Sequence, residues 1–388
     1  MSVYLDHAAS SPLRPEARAA WLYAQERVGN ASSIHGDGQA ARRLLEESRE
    51  RVAAALDAEP VEVVFTSGGT EAVNLAVAGL WQARAVARGV VVLPDGEHHA
   101  TIDAVRALPG AVERPVAIDA VGRIDPDAFG AALGDDVAVA TALVANNEIG
   151  TVNDASRLAA VAGAAGVPLH LDAVAAFGHV PVAYRAWRSD ATPGTGLVAL
   201  SVSAHKVGGP VGVGALVVAR SARLEAQLHG GGQQRGLRAG TQDVAGAAAF
   251  AVAAELAVAE LHAEAARLRT LACELRAAVA AIAPDAVLLG DPDDRVPGNV
   301  HLLFPGVRGE TLLFLLDVAG VSVSTGSACQ AGVAEPSHVV LALGRSDDDA
   351  RAVLRVTLGR TSSAADVAAF AAALPDALVR ARAAASIA

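Results

Sequence analysis

Short apolar runs alternate with segments of helical periodicity through the first half of the chain. Each run ends in glycine or polar residues, and the segment after it has apolar positions about every three or four residues. This alternation predicts β-α-β units with right-handed crossovers, and a mostly parallel sheet covered by helices on both faces. The predicted strands are Val61–Phe65, Val90–Leu93, Val137–Val144, Val167–Leu171, Gly196–Leu200 and Ala215–Ala219. Three helices are predicted between them: the first follows the turn Thr66–Glu71 and runs to about Arg88, and the others are His98–Leu108 and Ala155–Ala165.

The ends of the chain have a different pattern. A long helix rich in Ala, Leu, Glu and Arg is predicted from Asp243 to about Ile282, and the shorter elements beyond it indicate a smaller α+β unit. We therefore expect an α/β protein with a large domain over 16–255 and a small domain formed by 1–15 and 256–388. The remaining predicted elements are a short strand at Tyr4, helices Pro15–Val28, Gln39–Leu56, Glu310–Val318 and one from about Ala364, and strands Asn299–Phe304, Val321–Ser324 and Leu354–Leu358.

The composition narrows the class of protein. The chain has 388 residues, of which 52% are hydrophobic, so it can bury a large core. Its net charge of −11, with no basic block, argues against direct nucleic-acid binding as the main role. The start shows no signal peptide, and the apolar run near Val244–Ala254 is too short to span a bilayer. Two cysteines, Cys273 and Cys329, make no disulfide framework, so we expect a cytoplasmic protein without membrane association.

One stretch combines reactive side chains with a flexible turn. Ser203, His205 and Lys206 follow the predicted strand Gly196–Leu200, and a turn rich in glycine and proline leads to the next strand. An amine that forms a covalent bond to an aldehyde must be partly desolvated so that its pKa falls, and hydroxyl, imidazole and backbone N–H groups beside it suit a phosphate. This pattern is typical of the lysine that binds pyridoxal 5′-phosphate (PLP). Taken alone, it is equally consistent with a surface lysine in a glycine-rich turn.

Polar groups follow two other predicted strands. Ser67-Gly-Gly-Thr70 opens a helix, where backbone N–H groups and the helix N-terminus favour an anion such as a phosphate. Ordinary N-capping by Thr70 is the alternative. Asp172 ends the strand Val167–Leu171 and could keep a pyridine nitrogen protonated, or could simply cap a helix.

Four further features carry candidate chemistry. In Glu97-His98-His99 an imidazole could stack on a planar cofactor or transfer protons, or could have no role at the start of a helix, and no zinc-type spacing accompanies it. Cys329 lies in a loop of small residues and could act as a nucleophile, whereas Cys273 lies among apolar helix neighbours and is predicted to pack. Arg355 could bind a carboxylate or be a surface arginine. The glycine-rich basic stretch 230–241 suits a phosphate or a subunit contact.

Together these stretches resemble the cysteine desulfurases, PLP enzymes of fold type I in the class V aminotransferase group. The similarity runs in order over nearly the whole chain, and the short Cys329 loop resembles the branch that passes sulfur to scaffold and carrier proteins. The matching stretches are Tyr4–Ser10, Gly29–His35, Phe65–Asn74, Glu97–His99, Asn146–Thr151, Ser203–Pro210, Gly230–Gln233, Arg238–Thr241, Ser324–Gly332, Glu335–Val339 and Arg355–Gly359.

The resemblance implies a role for each matching residue. The enzyme would convert L-cysteine to L-alanine as a homodimer, with PLP as cofactor, no metal, and a persulfide on Cys329 that is passed to an acceptor protein. The acceptor could be an iron–sulfur scaffold, a tRNA-thiolation carrier, another sulfur carrier or a DNA-modification system. By this resemblance Lys206 would hold PLP covalently and transfer protons, Asp172 would pair with the pyridine nitrogen, and His98 would stack on the ring and transfer protons. The phosphate would be bound by Gly69, Thr70, Ser203, His205 and the partner subunit's Thr241. Asn147 would contact the cofactor and the substrate carboxylate, and Arg355 would bind that carboxylate.

One position departs from the pattern of the family. Cysteine desulfurases have a glutamine three residues after the aspartate, where it donates a hydrogen bond to the phenolic oxygen of the cofactor, whereas this chain has Ala175. The segment from Tyr184 to Gly196 also looks longer than usual. Two alternatives therefore stay open, namely a related PLP lyase or aminotransferase such as a selenocysteine lyase, and a catalytically reduced member that serves as a partner subunit.

Overall fold

The fold is organised around a seven-stranded sheet, seen in a computed structural model that describes residues 3–188, 191–326 and 335–385. The strand order is β2-β8-β7-β6-β5-β3-β4, and all neighbouring strands are parallel except that β8 runs antiparallel to β2 and β7. This confirms the expected α/β class and the mostly parallel sheet. The strands are β2 (Val63–Thr66), β3 (Val90–Pro94), β4 (Val112–Val116), β5 (Val137–Leu143), β6 (Pro168–Asp172), β7 (Gly196–Ser203) and β8 (Gly214–Val218).

Helices pack on both faces of this sheet, as the alternation predicts. Several begin at a side chain that accepts a backbone N–H of the first turn, which satisfies a donor that has no partner within the helix. His35, His98, Asp154 and Asp243 cap α2, α4, α6 and α8 in this way. The helices of this region are α1 (Pro15–Gln25), α2 (Gly36–Ala55), α3 (Gly69–Gln82), α4 (His99–Arg106), α5 (Pro126–Ala131), α6 (Ala155–Ala164), α7 (Tyr184–Arg188) and α8 (Val244–Ile282).

The long helix α8 joins the two parts of the molecule. Its first residues are small and buried on nearly all sides, packed against α1 and α2, whereas its later part contacts α12 (Ala364–Ala385) and β10 (Asn299–Leu303). By length and hydropathy α8 could cross a membrane, but most of its apolar stretch is buried within the molecule. The predicted packing of Cys273 is wrong, because Leu271 and Leu275 face the core and Cys273, between them, lies on the exposed side.

The C-terminal part has its own sheet and core. Its three strands are ordered β12-β10-β9, and β1 pairs in parallel with β11, which joins the start of the chain to this part. That pairing is consistent with the expected small domain, whose boundaries remain a prediction. The further elements are β1 (Val3–Tyr4), β9 (Val287–Leu289), β11 (Val321–Ser322), β12 (Val353–Thr357), α9 (Gly309–Val318), α10 (His338–Ala342) and α11 (Asp347–Arg351).

Some elements do not follow from the sequence pattern. Strand β4 contains Glu113, Arg114 and Pro115 and lies mostly exposed at the edge of the large sheet, so it has no apolar run or alternation. Helices α5, α7, α10 and α11 span only five or six residues, too few for a helical period to emerge.

Candidate active site

A cavity of about 400 Å³ opens at the carboxyl ends of the central parallel strands. Ligands of open α/β sheets bind at this edge because the loops after the strands converge there. The structure brings nine predicted residues together in its lining, namely Gly69, Thr70, His98, Asn147, Asp172, Ser203, His205, Lys206 and Arg355. The predicted Thr241 is exposed and is not among the described lining residues.

Lys206 lies just beyond β7, at the end of a single 3₁₀ turn, and is the only lysine in the sequence. Its Nζ donates to the backbone oxygens of Ala8, at 2.6 Å, and Ala9, at 3.0 Å. Burial and the nearby Arg355 lower the pKa of Lys206 to about 8, against the opposing effect of Asp6 and Asp172. The amine is therefore much more often neutral near physiological pH than an ordinary lysine, which is the condition for nucleophilic chemistry.

Asp172 ends β6 and is 3% exposed. Its Oδ1 accepts the backbone N–H of Val174 at 2.9 Å. Burial raises the pKa of Asp172 to about 6, although the Val174 N–H and Lys206 act in the opposite direction. The carboxylate can therefore interact strongly with a cationic group of a ligand.

The start of α3 forms one side of the cavity. Gly69 begins this helix, and Gly68 precedes it without a side-chain cap among the described residues, so the structure does not support N-capping by Thr70. A Cβ at Gly69 would lie 2.7 Å from Cγ2 of Val174, which shows that the close approach depends on glycine. The N–H groups at the start of α3, which no described side chain caps, and the Ser203 hydroxyl beside Gly68 and Gly69 suit an anion.

The ring of His98 both caps a helix and lines the cavity. Its Nδ1 accepts the N–H of Ala100 at 3.0 Å and caps α4, while the ring is open to the cavity. Desolvation by the cavity wall and the neighbouring Lys206, His99 and His338 lower the pKa of His98 to about 4, although the residue keeps a solvent-exposed surface. The ring is therefore neutral near pH 7, and because Nδ1 accepts, the proton is on Nε2.

Arg355 is buried, which rules out the alternative of a surface arginine. Its Nη1 donates to the backbone oxygen of Asn147 at 2.8 Å, and its Nη2 pairs with Asp6 at 3.0 Å. Its Nε has no partner among the described residues. The guanidinium is thus held at the cavity wall by two contacts, and its Nε is buried.

Ala175 lines the large cavity and also a smaller one of about 30 Å³, which Lys206 lines as well. His179 and Asn147 line it as well. The long segment from Tyr184 to Gly196 lies elsewhere: Tyr184 and Arg185 donate backbone hydrogen bonds to the end of α2 and the turn after it, and none of its described residues lines either cavity.

Cys329 lies outside the described residues. The chain is described up to Gly326, which lines the large cavity, and again from Glu335. Within the described residues, no group of three or more His, Cys, Asp or Glu side chains could hold a metal ion.

Three residues in or beside the site belong to recognised motifs but have no role in the sequence-based prediction. The carbonyls of Ala8 and Ala9, near the start of the chain, accept hydrogen bonds from Lys206, and no local sequence pattern predicts such a contact. Glu97 is fully buried, its Oε1 accepts the N–H of Leu143 at 2.8 Å, and burial together with Asp172 raises the pKa of Glu97 to about 8. The fact that Lys206 is the only lysine was a signal available in the sequence.

Comparisons with known proteins cover nearly the whole chain. Residues 3–370 match the family model of the class-V aminotransferases. The chain is 46% identical to the IscS-like cysteine desulfurase of Mycobacterium tuberculosis, over 98% of both chains, and 38% identical to cysteine desulfurase IscS of Dictyoglomus turgidum, over 94% of this chain and 91% of that one. The solved structure of a NifS-like protein superposes with a TM-score of 0.90 at 27% identity, over 98% of this chain and all of that one.

Proposed function

We propose a reaction from one premise: the chain belongs to the class-V aminotransferase family, and within it to the cysteine desulfurases. It takes the sulfur from L-cysteine, releases L-alanine and holds the sulfur as a persulfide on Cys329. In this reaction the carbon–sulfur bond breaks, a sulfur–sulfur bond forms at Cys329, and a proton is delivered to the carbon that lost sulfur. One observation carries the proposal: the amine of Lys206 is partly buried and has a lowered pKa, and it lies in a cavity with Asp172 and with the start of α3, which suits an anion.

The donor set of the cavity fits PLP. Lys206 would hold the cofactor covalently, Gly69, Thr70, Ser203 and His205 would bind its phosphate, and Asp172 would pair with its ring nitrogen. The carboxylate at the end of β6 is buried, as a partner for a protonated pyridine should be, and the start of α3 has unpaired N–H groups for the phosphate. When bound, PLP supplies an electron sink next to the carbon–sulfur bond.

The remaining residues act on the substrate. Arg355 lines the cavity and, with Asn147, would hold the substrate carboxylate. His98 would stack on the cofactor and move a proton through Nε2, since its Nδ1 is engaged in capping α4. Lys206, with a pKa near 8, would carry protons to and from the substrate carbon.

The proposal includes a second copy of the chain. Large apolar side chains are exposed along α1 and the loop after it, where they could be covered in a homodimer, and Thr241 would reach the phosphate from the partner subunit. The exposed residues are Trp21, Leu22, Tyr23, Val28 and Ile34. We further propose a cytoplasmic enzyme that passes its sulfur to a carrier or scaffold protein, with iron–sulfur cluster assembly as the first pathway to test because relatives carry the name IscS.

The experiment measures L-alanine and protein-bound persulfide after L-cysteine is added to the holoenzyme. Cys329→Ala should lose both products while keeping the visible absorption of bound PLP, and the matched control Cys273→Ala should retain them, because Cys273 lies exposed on α8 away from the cavity. Formation of both L-alanine and protein-bound persulfide by Cys329→Ala at the wild-type level would show that this thiol does not take the sulfur.

A further inference from the structure

One short segment, residues 234–238, contacts the chain on both sides of the turn 66–70, to which the proposed function assigns phosphate binding. Before the turn, at the end of the edge strand β2, the N–H of Phe65 donates to Oε1 of Gln234 at 3.1 Å. After the turn, Nε of Arg238 donates to Oε1 of Glu71, in the first turn of α3, at 2.8 Å. The position of the turn therefore depends on this segment.

Glu71 also contacts the turn directly. Its Oε2 accepts the N–H of Ser67 at 2.6 Å, which ties the turn to the first residues of α3. Burial alone would raise the pKa of Glu71, but the hydrogen bonds from Arg238 and Ser67 lower it below its usual value, so the carboxyl is ionised near neutral pH. A negative charge thus follows directly after Thr70, a proposed phosphate ligand.

Arg238 offsets this charge. Its guanidinium donates to both carboxylate oxygens of Glu71, at 2.8 and 3.4 Å, and the side chains of Arg238 and Glu71 are only 24% and 21% exposed. Solvent and salt screen such a pair less than a fully exposed one. Without Arg238 the carboxylate would repel a phosphate at the start of α3. Neither side chain is among the described residues that line the large cavity, so both act on the anion from outside it.

The segment that carries Arg238 has an unusual backbone. Gln234 and Arg235 have φ values of +48° and +62°, in the left-handed region that residues other than glycine rarely adopt. Two contacts hold this conformation: Nη1 of Arg49 donates to Oε1 of Gln234 at 2.7 Å, and Nη1 of Arg235 donates to the backbone oxygen of Val218, in β8, at 2.9 Å. Such a backbone persists only where its surroundings fix it, so Arg238 extends from a well-supported segment.

We propose that Glu71 and Arg238 are positioning residues for the phosphate of the cofactor. Glu71 holds the turn through Ser67, and Arg238 orients Glu71 and neutralises its charge. The N–H groups of the turn can then bind a phosphate without an uncompensated negative charge beside them. The inference rests on the proposed function, which assigns phosphate binding to Gly69 and Thr70.

The experiment titrates the cofactor-free protein with PLP and, in parallel, with pyridoxal, and absorbance reports binding. Pyridoxal keeps the aldehyde that reacts with Lys206 but lacks the phosphate, so a role toward the phosphate changes only the PLP titration. We expect Arg238→Ala to weaken PLP binding at least about tenfold and pyridoxal binding less than about threefold, since the charge of Glu71 is then uncompensated. Adding Glu71→Gln removes that charge, keeps an acceptor for Ser67, and should restore PLP binding to within about threefold of wild type.

Arg114→Ala is the matched control. Arg114 donates two hydrogen bonds to the carboxylate of Asp136, at 3.2 and 2.7 Å, and lies in β4, at the opposite edge of the large sheet from β2. The control removes the same charge and a similar ion pair, and should leave both titrations within about twofold of wild type. If Arg238→Ala does not fold, Arg238→Gln keeps a donor without the charge and is judged by the same outcomes.

Equal weakening of PLP and pyridoxal binding by the Arg238 variant would overturn the proposal, because the pair would then act on the structure in general. Unchanged PLP binding, or a Glu71→Gln substitution that restores none of it, would overturn it as well. A wild-type protein that binds PLP no more tightly than pyridoxal would instead contradict the phosphate site of the proposed function, and the inference with it. The titrations require no turnover, so a failure of L-alanine formation is a separate result.

Discussion

The carboxylate of Asp172 and the amine of Lys206 lie close enough to shift each other's pKa, although a complete crossover connection separates them in the chain. Asp172 ends β6 opposite Ser201 of the adjacent β7, and Lys206 follows shortly after β7 ends. Parallel strands bring their carboxyl ends to one edge of the sheet, which is why the two groups meet.

This pair predicts a change in amine reactivity. Asp172→Asn removes a negative charge that favours the protonated amine, so the pKa of Lys206 should fall below its value of about 8 in the cofactor-free protein. The wild-type protein and Asp172→Asn should differ only where the Asp172 carboxyl is ionised, which is above about pH 6, the pKa of Asp172. The measurement is the pH dependence of acylation at Lys206, which mass spectrometry isolates easily in a chain with one lysine. A midpoint that stays in place would mean that the carboxylate does not act on the amine.

A second prediction concerns the glycine at the start of α3. Gly69→Ala would place a Cβ 2.7 Å from Cγ2 of Val174, and should weaken PLP binding at least about tenfold if the helix start has to move. The double variant Gly69→Ala/Val174→Ala removes the clash and should recover most of the affinity. PLP titration monitored by absorbance measures both. Equal weakening in the single and double variants would assign the effect to something other than this contact.

The two roles of His98 can be separated. His98→Ala should lose the cap of α4, at a cost of about 0.5–2 kcal/mol, together with proton transfer, whereas His98→Asn can still cap the helix and should lose only proton transfer. We therefore expect kcat to fall in both variants and the thermal midpoint to fall mainly in His98→Ala. Thermal unfolding of the cofactor-free proteins gives the first comparison, and steady-state assays give the second. An asparagine variant with undiminished kcat would exclude His98 from the chemistry.

Ala175 predicts a spectroscopic change. Ala175→Gln would introduce an amide donor in the lining of the large cavity, where Lys206 and Asp172 lie. A donor at the phenolic oxygen of bound PLP stabilises its anionic form, so the pH at which the visible absorption titrates should move downward. Ala186→Gln, on the exposed side of α7, is the matched control. An unchanged titration would indicate that another group already makes this hydrogen bond.

The alternation of strands and helices in the central region could be predicted from sequence, because the spacing of apolar residues within a strand or helix is a local pattern. The strands around Asp172 and Lys206 were located correctly to within a few residues for this reason. Strand β4 was missed because an exposed edge strand needs no apolar pattern. Cys273 was assigned to the core because apolar neighbours along a helix do not define which of its faces is buried.

The sequence by itself determined the kind of chemistry: a single lysine in a glycine-rich turn after a strand, an aspartate at the end of another strand, and motifs that occur in order over the chain. Only the tertiary structure decided that Arg355 is buried against Asp6, that the carbonyls of Ala8 and Ala9 accept hydrogen bonds from the Lys206 amine, and that the Ser337 hydroxyl donates to Glu148. These contacts bring together residues that are distant along the chain. Their geometry depends on strand pairing and close packing of the whole molecule, to which no local pattern in the sequence corresponds.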